Sequence, residues 1–178
     1  MSSLEEALRA HIRDVPDFPE AGIVFKDVTP LFADPATLRR SVEAVARQVT
    51  AARARYVVSA EARGFALGGA VAAAAGAGFV FARKPGKLPR ETVRVEYELE
   101  YGRDALEVHA DALPAGARVL VHDDLLATGG TAEALCALVE KSGAVVAGCS
   151  FVVELAFLSG RRRLAGREVH SLISYDAQ

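Results

Sequence analysis

The sequence has little net charge, few cysteines and no long run of large apolar side chains. Its 21 lysine and arginine residues nearly balance 23 aspartate and glutamate residues, for a formal net charge of −2, so no global charge points to nucleic acid or a membrane surface. We predict no membrane span, because the longest uncharged stretch, residues 64–82, consists mostly of glycine and alanine. Residues 1–15 lack a signal-peptide or transit-peptide pattern. We therefore expect a cytoplasmic protein whose partners are small molecules or copies of itself, not nucleic acid or membrane.

Cysteine and histidine are too few and too scattered to predict a metal centre. Cys136 and Cys149 each lie in an apolar segment, where a small buried side chain is the expected role. The histidines show no metal-ligand or triad spacing; they are His11, His109, His122 and His170. His122 stands where we expect an aliphatic residue. The length of 178 residues predicts a single domain, 1–178, without room for an added DNA-binding module.

The most informative stretch is RVLVHDDLLATGGTAEALCALVEK, residues 118–141. Val119–Val121 predicts a buried strand of an α/β sheet, and Ala132–Glu140 predicts a helix. Between them lie residues without bulky side chains, whose backbone N–H groups can approach a ligand closely: Ala127, Thr128, Gly129, Gly130 and Thr131. Because this loop precedes a helix N-terminus, it predicts a phosphate-binding site.

Two acids precede this loop, at the predicted end of the strand. Asp123 and Asp124 would repel a bare phosphate unless they hold ribose hydroxyls or a hydrated Mg²⁺. A phosphate site beside a diol site predicts a ribose 5-phosphate ligand. The alternative is an ordinary strand–turn–helix in which Asp124 only caps the helix.

The string VLVHDDLLATGGT resembles the phosphoribosyl-pyrophosphate signature of the type I phosphoribosyltransferase family, in the version of its adenine-specific members. Neither a Walker lysine nor the dinucleotide fingerprint is present. The resemblance implies an α/β fold with a mostly parallel sheet flanked by helices. It further implies a small hood from about residues 1–33 plus C-terminal segments, and a flexible lid loop over about residues 83–106. The family is usually homodimeric and uses Mg²⁺ bound through the substrate, with Asp123 and Asp124 contacting it through water.

The segment FPEAGIVFKDVTPL resembles the adenine-binding segment of that family. The resemblance implies that Phe25 stacks on the base, that Val24 and Lys26 read its edge through backbone groups, and that Leu155 touches the base from a later strand. Lys26 stands where the family usually has arginine, which weakens a role for its side chain but not for its backbone. From composition alone, the alternative is that these apolar residues only anchor the segment.

The loop EARGF resembles the family's pyrophosphate loop, with alanine in place of a usual serine. The implied pyrophosphate and lid residues are Glu61, Ala62, Arg63, Gly64, Arg83, Lys84, Lys87 and Tyr101. From the pattern alone, Arg63 could make only a structural salt bridge, and the cations of the lid could form only a solvated face.

Glu100 matches the family's favoured proton-transfer residue. The alternative is an exposed strand carboxylate. Together with Asp123, Asp124 and Arg63, it completes the predicted catalytic set. The implied reaction joins adenine to phosphoribosyl pyrophosphate and releases AMP and pyrophosphate, a step of purine salvage. The alternatives are another purine or xanthine phosphoribosyltransferase, or a phosphoribosyl-pyrophosphate-sensing regulator, which would need a basic face or an added helix-turn-helix.

Periodicity and breakers predict the remaining elements. A helix from Leu4 ends at Pro16, and residues 17–32 form extended pieces without a regular element. A helix capped by Asp34 runs to about Arg55. The predicted strands are Tyr56–Ala60, Phe79–Ala82, a hairpin closing with Ala105–His109, Val145–Leu155 and Val169–Ser174.

Overall fold

The computed structural model describes residues 3–98 and 103–177, and it is an α/β fold. In chain order, its elements are α1 (Leu4–Ala10), β1 (Arg13–Pro16), β2 (Val24–Asp27), α2 (Thr29–Ala33), α3 (Pro35–Ala51), β3 (Tyr56–Ala60), α4 (Arg63–Ala75), β4 (Gly78–Ala82), β5 (Thr92–Glu98), β6 (Arg103–His109), β7 (Arg118–Leu126), α5 (Gly130–Lys141), β8 (Val145–Leu155) and β9 (Val169–Tyr175). Two short 3₁₀ helices, Ala156–Leu158 and Gly160–Leu164, join β8 to β9.

The central sheet has five parallel strands in the order β4-β3-β7-β8-β9. Its two faces are covered by different helices, as β7 shows. Val119 and Val121 lie in the core shared with α5, whereas Leu120 lies in the core shared with α3 and α4. Successive side chains of a strand point to opposite faces, so a strand covered on both sides must be apolar throughout. The predicted parallel sheet flanked by helices is confirmed.

Two antiparallel pairs stand outside the central sheet. The pair β1–β2 lies within the predicted N-terminal hood, and β5–β6 is the hairpin within the predicted lid. The prediction that α1 extends to Pro16 is wrong: the helix ends at Ala10, and β1 then pairs with β2. Residues 17–32 are also more regular than predicted, because β2 and α2 form there. A pairing between separate segments supplies backbone partners that local periodicity does not reveal.

The prediction that the acids end β7 is also wrong, because the strand continues to Leu126. The long neighbour β8 pairs with it as far as Leu126 and Glu154, so the backbone has partners beyond Asp124. Helix α3 differs less from its prediction: it is capped by Asp34, as predicted, through a 2.7 Å hydrogen bond from the Thr37 N–H, but it ends at Ala51. The bounds of β3 and β8 agree with their predictions.

Candidate active site

Two loops meet at the carboxyl ends of β3 and β7, which are neighbours in the sheet. The turn after β3 leads into Arg63 and Gly64, and β7 carries Asp123 and Asp124 near its end. A Cβ atom at Gly64 would lie 2.7 Å from Asp123 Oδ1, which a residue larger than glycine would have to push away. The predicted pyrophosphate loop and the acid pair are therefore in direct contact, at the sheet edge where open α/β folds bind ligands.

A cavity of about 210 Å³ opens between these loops. The helix α5 begins at its edge, where Gly129 adopts φ +86° and gives no side-chain cap. The first backbone N–H groups and the positive end of the helix thus remain available to an anion. The cavity is lined by Arg63, Asp123, Asp124 and residues 125–132, which include the predicted phosphate loop Ala127, Thr128, Gly129, Gly130 and Thr131.

Arg63 joins the predicted anion and base sites. Its Nε lies 2.9 Å from Asp124 Oδ2, and its guanidinium carbon lies 5.4 Å from the centre of the Phe25 ring. Asp124 is buried, whereas the Arg63 side chain is 44% exposed, so the arginine can turn to a ligand only where another cation compensates the buried carboxylate. Three predicted parts, the acid pair, the pyrophosphate loop and the base platform, therefore meet at one side chain.

The surroundings of the acid pair disfavour two ionised carboxylates at once. Burial raises the pKa of Asp123 well above its usual range, and the neighbouring Asp124 carboxylate raises it further. The Asp124 backbone N–H donates to Asp123 Oδ1 at 2.9 Å. An added cationic group would favour ionisation of both acids. The pair therefore fits a hydrated cation or a ligand that becomes positively charged.

On the pyrophosphate side, the Glu61 carboxylate accepts hydrogen bonds from two basic residues. Arg83 Nε donates to Glu61 Oε2 at 2.7 Å, and the Lys84 N–H donates to Oε1 at 3.0 Å. Burial alone would raise the pKa of Glu61, but these hydrogen bonds outweigh it and lower the pKa. Lys84 Nζ also lies 3.2 Å from Asp104 Oδ2. Glu61 thus orients Arg83 towards the loop that follows β3.

The predicted lid has a fixed base. Arg83 and Glu107 exchange backbone hydrogen bonds of 2.9 and 2.8 Å, and the Gly86 N–H donates to Glu107 Oε2 at 3.2 Å. Lys87 is exposed beyond this base. Movement of the lid stays a prediction, and two predicted residues, Glu100 and Tyr101, lie outside the described residues.

The base-binding strand β2 has one paired edge and one free edge. In an antiparallel pair, residues alternate between those that bond the partner strand and those that face away from it. Pro16, opposite Val24, has no backbone N–H, so these two residues cannot exchange the two backbone hydrogen bonds of a bonded pair. On the same side of β2, the Ile23 carbonyl accepts from Phe18 N at 3.3 Å. By alternation, the backbone groups of Val24 and Lys26 face the free edge.

The side chain of Lys26 is engaged within the hood. Its Nζ lies 2.7 Å from Asp14 Oδ1 and 4.6 Å from the centre of the Tyr175 ring, and only 5% of the residue is exposed. The Lys26 side chain is thus already paired within the protein, and base recognition through the Lys26 backbone stays a prediction. Leu155 is buried at the end of β8.

Sequence reasoning missed Tyr97, which links the hairpin to the phosphate loop. Its hydroxyl lies beside the side chains of Thr131 and Asp104, and burial raises its pKa. The available signal was the alternation of β5, which places Tyr97 on the same face as Val93 and Val95, both packed against the core. His122 lies fully buried, two residues before Asp124, and burial lowers its pKa to about 4. A neutral imidazole thus occupies the place predicted for an aliphatic side chain.

The fold and these loops define a phosphoribosyltransferase class of site, and comparison with known proteins agrees. The family model described as the phosphoribosyl transferase domain matches residues 37–173. A curated adenine phosphoribosyltransferase from Rubrobacter xylanophilus is 58% identical over 96% of this chain and 92% of its own length. One from Anaeromyxobacter sp. is 55% identical over 98% of this chain and 99% of its own. The chain therefore belongs to the adenine phosphoribosyltransferase family.

Solved structures give the same result. Adenine phosphoribosyltransferase from Thermoanaerobacter pseudethanolicus superposes with a TM-score of 0.93 at 47% identity, covering 97% of this chain and 100% of that one. The Saccharomyces cerevisiae enzyme, solved with adenine and an imino-altritol bisphosphate, superposes with a TM-score of 0.91 at 38% identity, covering 97% and 100%. Within the described residues, no helix has both the length and the apolar character needed to cross a membrane.

Proposed function

We propose that this protein transfers the 5-phosphoribosyl group from phosphoribosyl pyrophosphate to adenine, releasing AMP and pyrophosphate, in purine salvage. The observation that carries this proposal is the position of Arg63, which contacts both Asp124 and Phe25. Arg63 belongs to the proposed pyrophosphate loop, so this loop contacts both the acid pair and the aromatic ring that would stack on the base. Such proximity is what a direct transfer between base and ribose requires.

The phosphate loop binds the 5-phosphate in this proposal. Residues 127–131 precede α5, and backbone N–H groups at an uncapped helix N-terminus favour an anion. The Thr128 and Thr131 hydroxyls add donors. Asp123 and Asp124 then lie beside the ribose diol. As pyrophosphate departs, the ribose C1 becomes cationic, and the two carboxylates stabilise that charge more than they stabilise the neutral substrate.

Arg63 and the backbone around Ala62 and Gly64 bind the pyrophosphate, and Arg83, Lys84, Lys87 and Tyr101 close over it from the lid. The leaving group carries the charge that these cations neutralise. A base that stacks on the Phe25 face covered by Arg63 takes the place of the guanidinium, which then turns to the pyrophosphate. Binding of the base and of the anion would thus be coupled through one arginine.

Mg²⁺ is the cofactor in this proposal, bound through substrate oxygens. The acid pair fits this role, because burial and mutual repulsion raise the pKa of Asp123 until a cation is added. Asp123 and Asp124 would contact the hydrated ion through water. When bound, the magnesium neutralises charge on the departing pyrophosphate.

Adenine is selected by backbone polarity at the free edge of β2. The Val24 carbonyl accepts from the 6-amino group, and the Lys26 N–H donates to N1. A 6-oxopurine offers the opposite polarity at both positions, and each opposed pair costs roughly 1–3 kcal/mol. Phe25 stacks on the ring and Leu155 contacts its edge. Discrimination against hypoxanthine should then be on the order of a hundredfold to ten-thousandfold.

Glu100 is the proposed proton-transfer residue. Adenine must lose a proton when N9 bonds to the ribose, and the loop residue Ala127 cannot accept one. If Glu100 serves, Glu100→Gln should lower kcat at least about tenfold and remove an acidic limb of the pH profile.

We also propose a cytoplasmic homodimer. The edge strand β4 carries Phe81, which is 52% exposed and packs edge-on against Phe65 and Phe79 at 5.1 and 4.9 Å. An exposed aromatic cluster on a sheet edge is a suitable interface for a second copy. Sedimentation of the parent and of Phe81→Lys tests this: the variant should be monomeric where the parent is dimeric.

The function is tested by measuring formation of the corresponding nucleoside monophosphate, AMP in the case of adenine, with adenine, hypoxanthine, guanine and xanthine in turn. We expect adenine to be preferred in kcat/KM by the factor given above, and Lys26→Arg to preserve the preference because the readout is main-chain. Phe25→Ala should weaken base binding through lost stacking, with the preference intact. Hypoxanthine used within about threefold of adenine would contradict the backbone mechanism.

A further inference from the structure

The second 3₁₀ helix, Gly160–Leu164, touches the phosphate loop backbone to backbone. A Cβ atom at Gly129 would lie 2.5 Å from the Gly160 carbonyl oxygen. Conversely, a Cβ atom at Gly160 would overlap the Ala127 carbonyl oxygen and lie 3.1 Å from Gly129 N. Because main-chain atoms on the other side cannot swing away as a flexible side chain can, both positions require glycine. The contacts fall on the two residues that flank Thr128.

An ion pair between Arg161 and the buried Glu154 holds this 3₁₀ helix in place. Arg161 donates to both oxygens of Glu154, from Nε at 2.6 Å and from Nη2 at 2.7 Å, and its Nη1 donates to the Val169 carbonyl at 2.8 Å. Ser171 adds a 2.7 Å hydrogen bond to Glu154 Oε2. Glu154 is only 5% exposed. A bidentate arginine–carboxylate pair fixes orientation as well as distance.

The same segment is also attached to α5. Leu164 is 1% exposed and lies in the core on the α5 side of the sheet. Arg163 Nη1 lies 2.9 Å from Glu133 Oε2, in the first turn of α5. Glu154, in turn, is the register partner of Leu126, the residue before the loop. The 3₁₀ helix is therefore attached to both elements that the phosphate loop connects.

We infer that Gly160 is a positioning residue for the 5-phosphate, because its backbone, fixed by the Arg161–Glu154 pair, supports the phosphate loop from behind. This inference rests on the proposed function, in which residues 127–131 bind that phosphate. The N–H groups of the loop must converge on one anion, and support at Ala127 and Gly129 prevents the loop from relaxing away from it. Gly160 itself does not contact substrate, so its substitution should weaken phosphate binding selectively.

The test compares Gly160→Ala with Gly69→Ala. Gly69 lies within α4, and a Cβ there would have nothing within 4 Å, so it controls for the substitution itself. Calorimetry gives Kd for ribose 5-phosphate and for pyrophosphate, and kinetics give KM for adenine. For Gly160→Ala we expect the affinity for ribose 5-phosphate to fall roughly tenfold to a hundredfold, as for a misplaced binding group. Pyrophosphate Kd and adenine KM should change less than about threefold, within the range of indirect effects.

A second pair of variants tests the same inference in case Gly160→Ala does not fold. Arg161→Lys keeps the charge beside Glu154 but loses the bidentate geometry, and Arg162→Lys changes the exposed neighbour. We expect Arg161→Lys to lose ribose 5-phosphate affinity about threefold to tenfold, with Arg162→Lys unchanged. Equal losses for phosphate and pyrophosphate, or no loss in a folded Gly160→Ala or Arg161→Lys, would overturn the inference. A parent protein that fails to bind ribose 5-phosphate would instead overturn the proposed phosphate loop.

Discussion

The phosphate loop and the pyrophosphate side of the site are held in different ways. Residues 127–131 are supported by the Gly160 backbone, where a Cβ on Gly129 has no room. The pyrophosphate side depends on side-chain charges instead: Arg83 pairs with Glu61 at 2.7 Å and Lys84 with Asp104 at 3.2 Å, with the cations 36% and 58% exposed. Close backbone packing fixes one geometry, whereas exposed ion pairs exchange partners at small cost.

This difference suits the two ends of the proposed substrate. The 5-phosphate stays bound throughout the transfer, so a rigid site serves both substrate and product. The pyrophosphate must be gripped and then released, which favours cations that have alternative protein partners. Arg63, beside Asp124 and Phe25, stands between the two regions.

The largest expected effect comes from the acid pair at the junction of the two regions. Asp124→Asn keeps the size of the side chain but removes a charge that favours the cationic ribose in the transition state. We expect kcat to fall on the order of tenfold to a thousandfold, with a smaller change in KM for phosphoribosyl pyrophosphate. Steady-state kinetics of the variant measure both, with the exposed Asp176→Asn as control. An unchanged kcat would remove the proposed role of Asp124.

The neighbouring acid, Asp123, should lower the stability of the folded protein when it is ionised. Because the folded-state pKa of Asp123 is raised, its ionisation costs stability as pH rises through that pKa, and it costs nothing below the unfolded value. Asp123→Asn should therefore have a higher Tm than the parent, with a difference that is larger at pH 8 than at pH 5. Thermal unfolding across that range measures it. A Tm difference that does not depend on pH would show that ionisation of Asp123 is not what lowers the stability.

A smaller effect should appear on the pyrophosphate side. Arg83→Met removes the ion pair with Glu61 and should weaken pyrophosphate binding about two- to fivefold at low salt. The loss should shrink in high salt, because exposed charges are screened. Ribose 5-phosphate affinity should stay constant, since its loop depends on packing. The matched control is Arg167→Met, which breaks the pair with Glu140 away from the site. If Arg83→Met lowered the affinity for ribose 5-phosphate as much as that for pyrophosphate, the two regions would not be held in different ways.

The smallest effect is expected for His122, which lies on β7 outside both regions. Its lowered pKa of about 4 means that the ring is neutral at pH 7, so His122→Leu should leave kcat unchanged and stability within about 1.5 kcal/mol. As pH falls from 6.5 to about 4, the parent should lose stability, because its unfolded state takes up a proton that the buried ring resists. Urea unfolding at pH 7.5 and pH 4.5 tests both statements. Parallel acid sensitivity in parent and variant would show that His122 is not responsible.

Local sequence determined much of this protein. Continuous apolar residues mark β3 and β8, whose bounds agree with prediction because buried strands admit few polar residues. Asp34 and Pro35 mark the start of α3, since an oxygen cap and a fixed φ act within one turn. The strings around Asp123 and Arg63 indicated the family, because phosphate loops require small residues at set positions.

Only the tertiary structure decided what depends on contact between distant segments. The length of β7 was set by β8, and the end of α1 by the pairing of β1 with β2. Arg63 and Phe25 are 38 positions apart in the sequence, yet the guanidinium carbon of Arg63 lies 5.4 Å from the centre of the Phe25 ring. No local pattern around Gly160 indicates that its backbone lies against Ala127 and Gly129. Periodicity and capping report energies within a few residues, whereas these contacts form only when packing brings separate loops together.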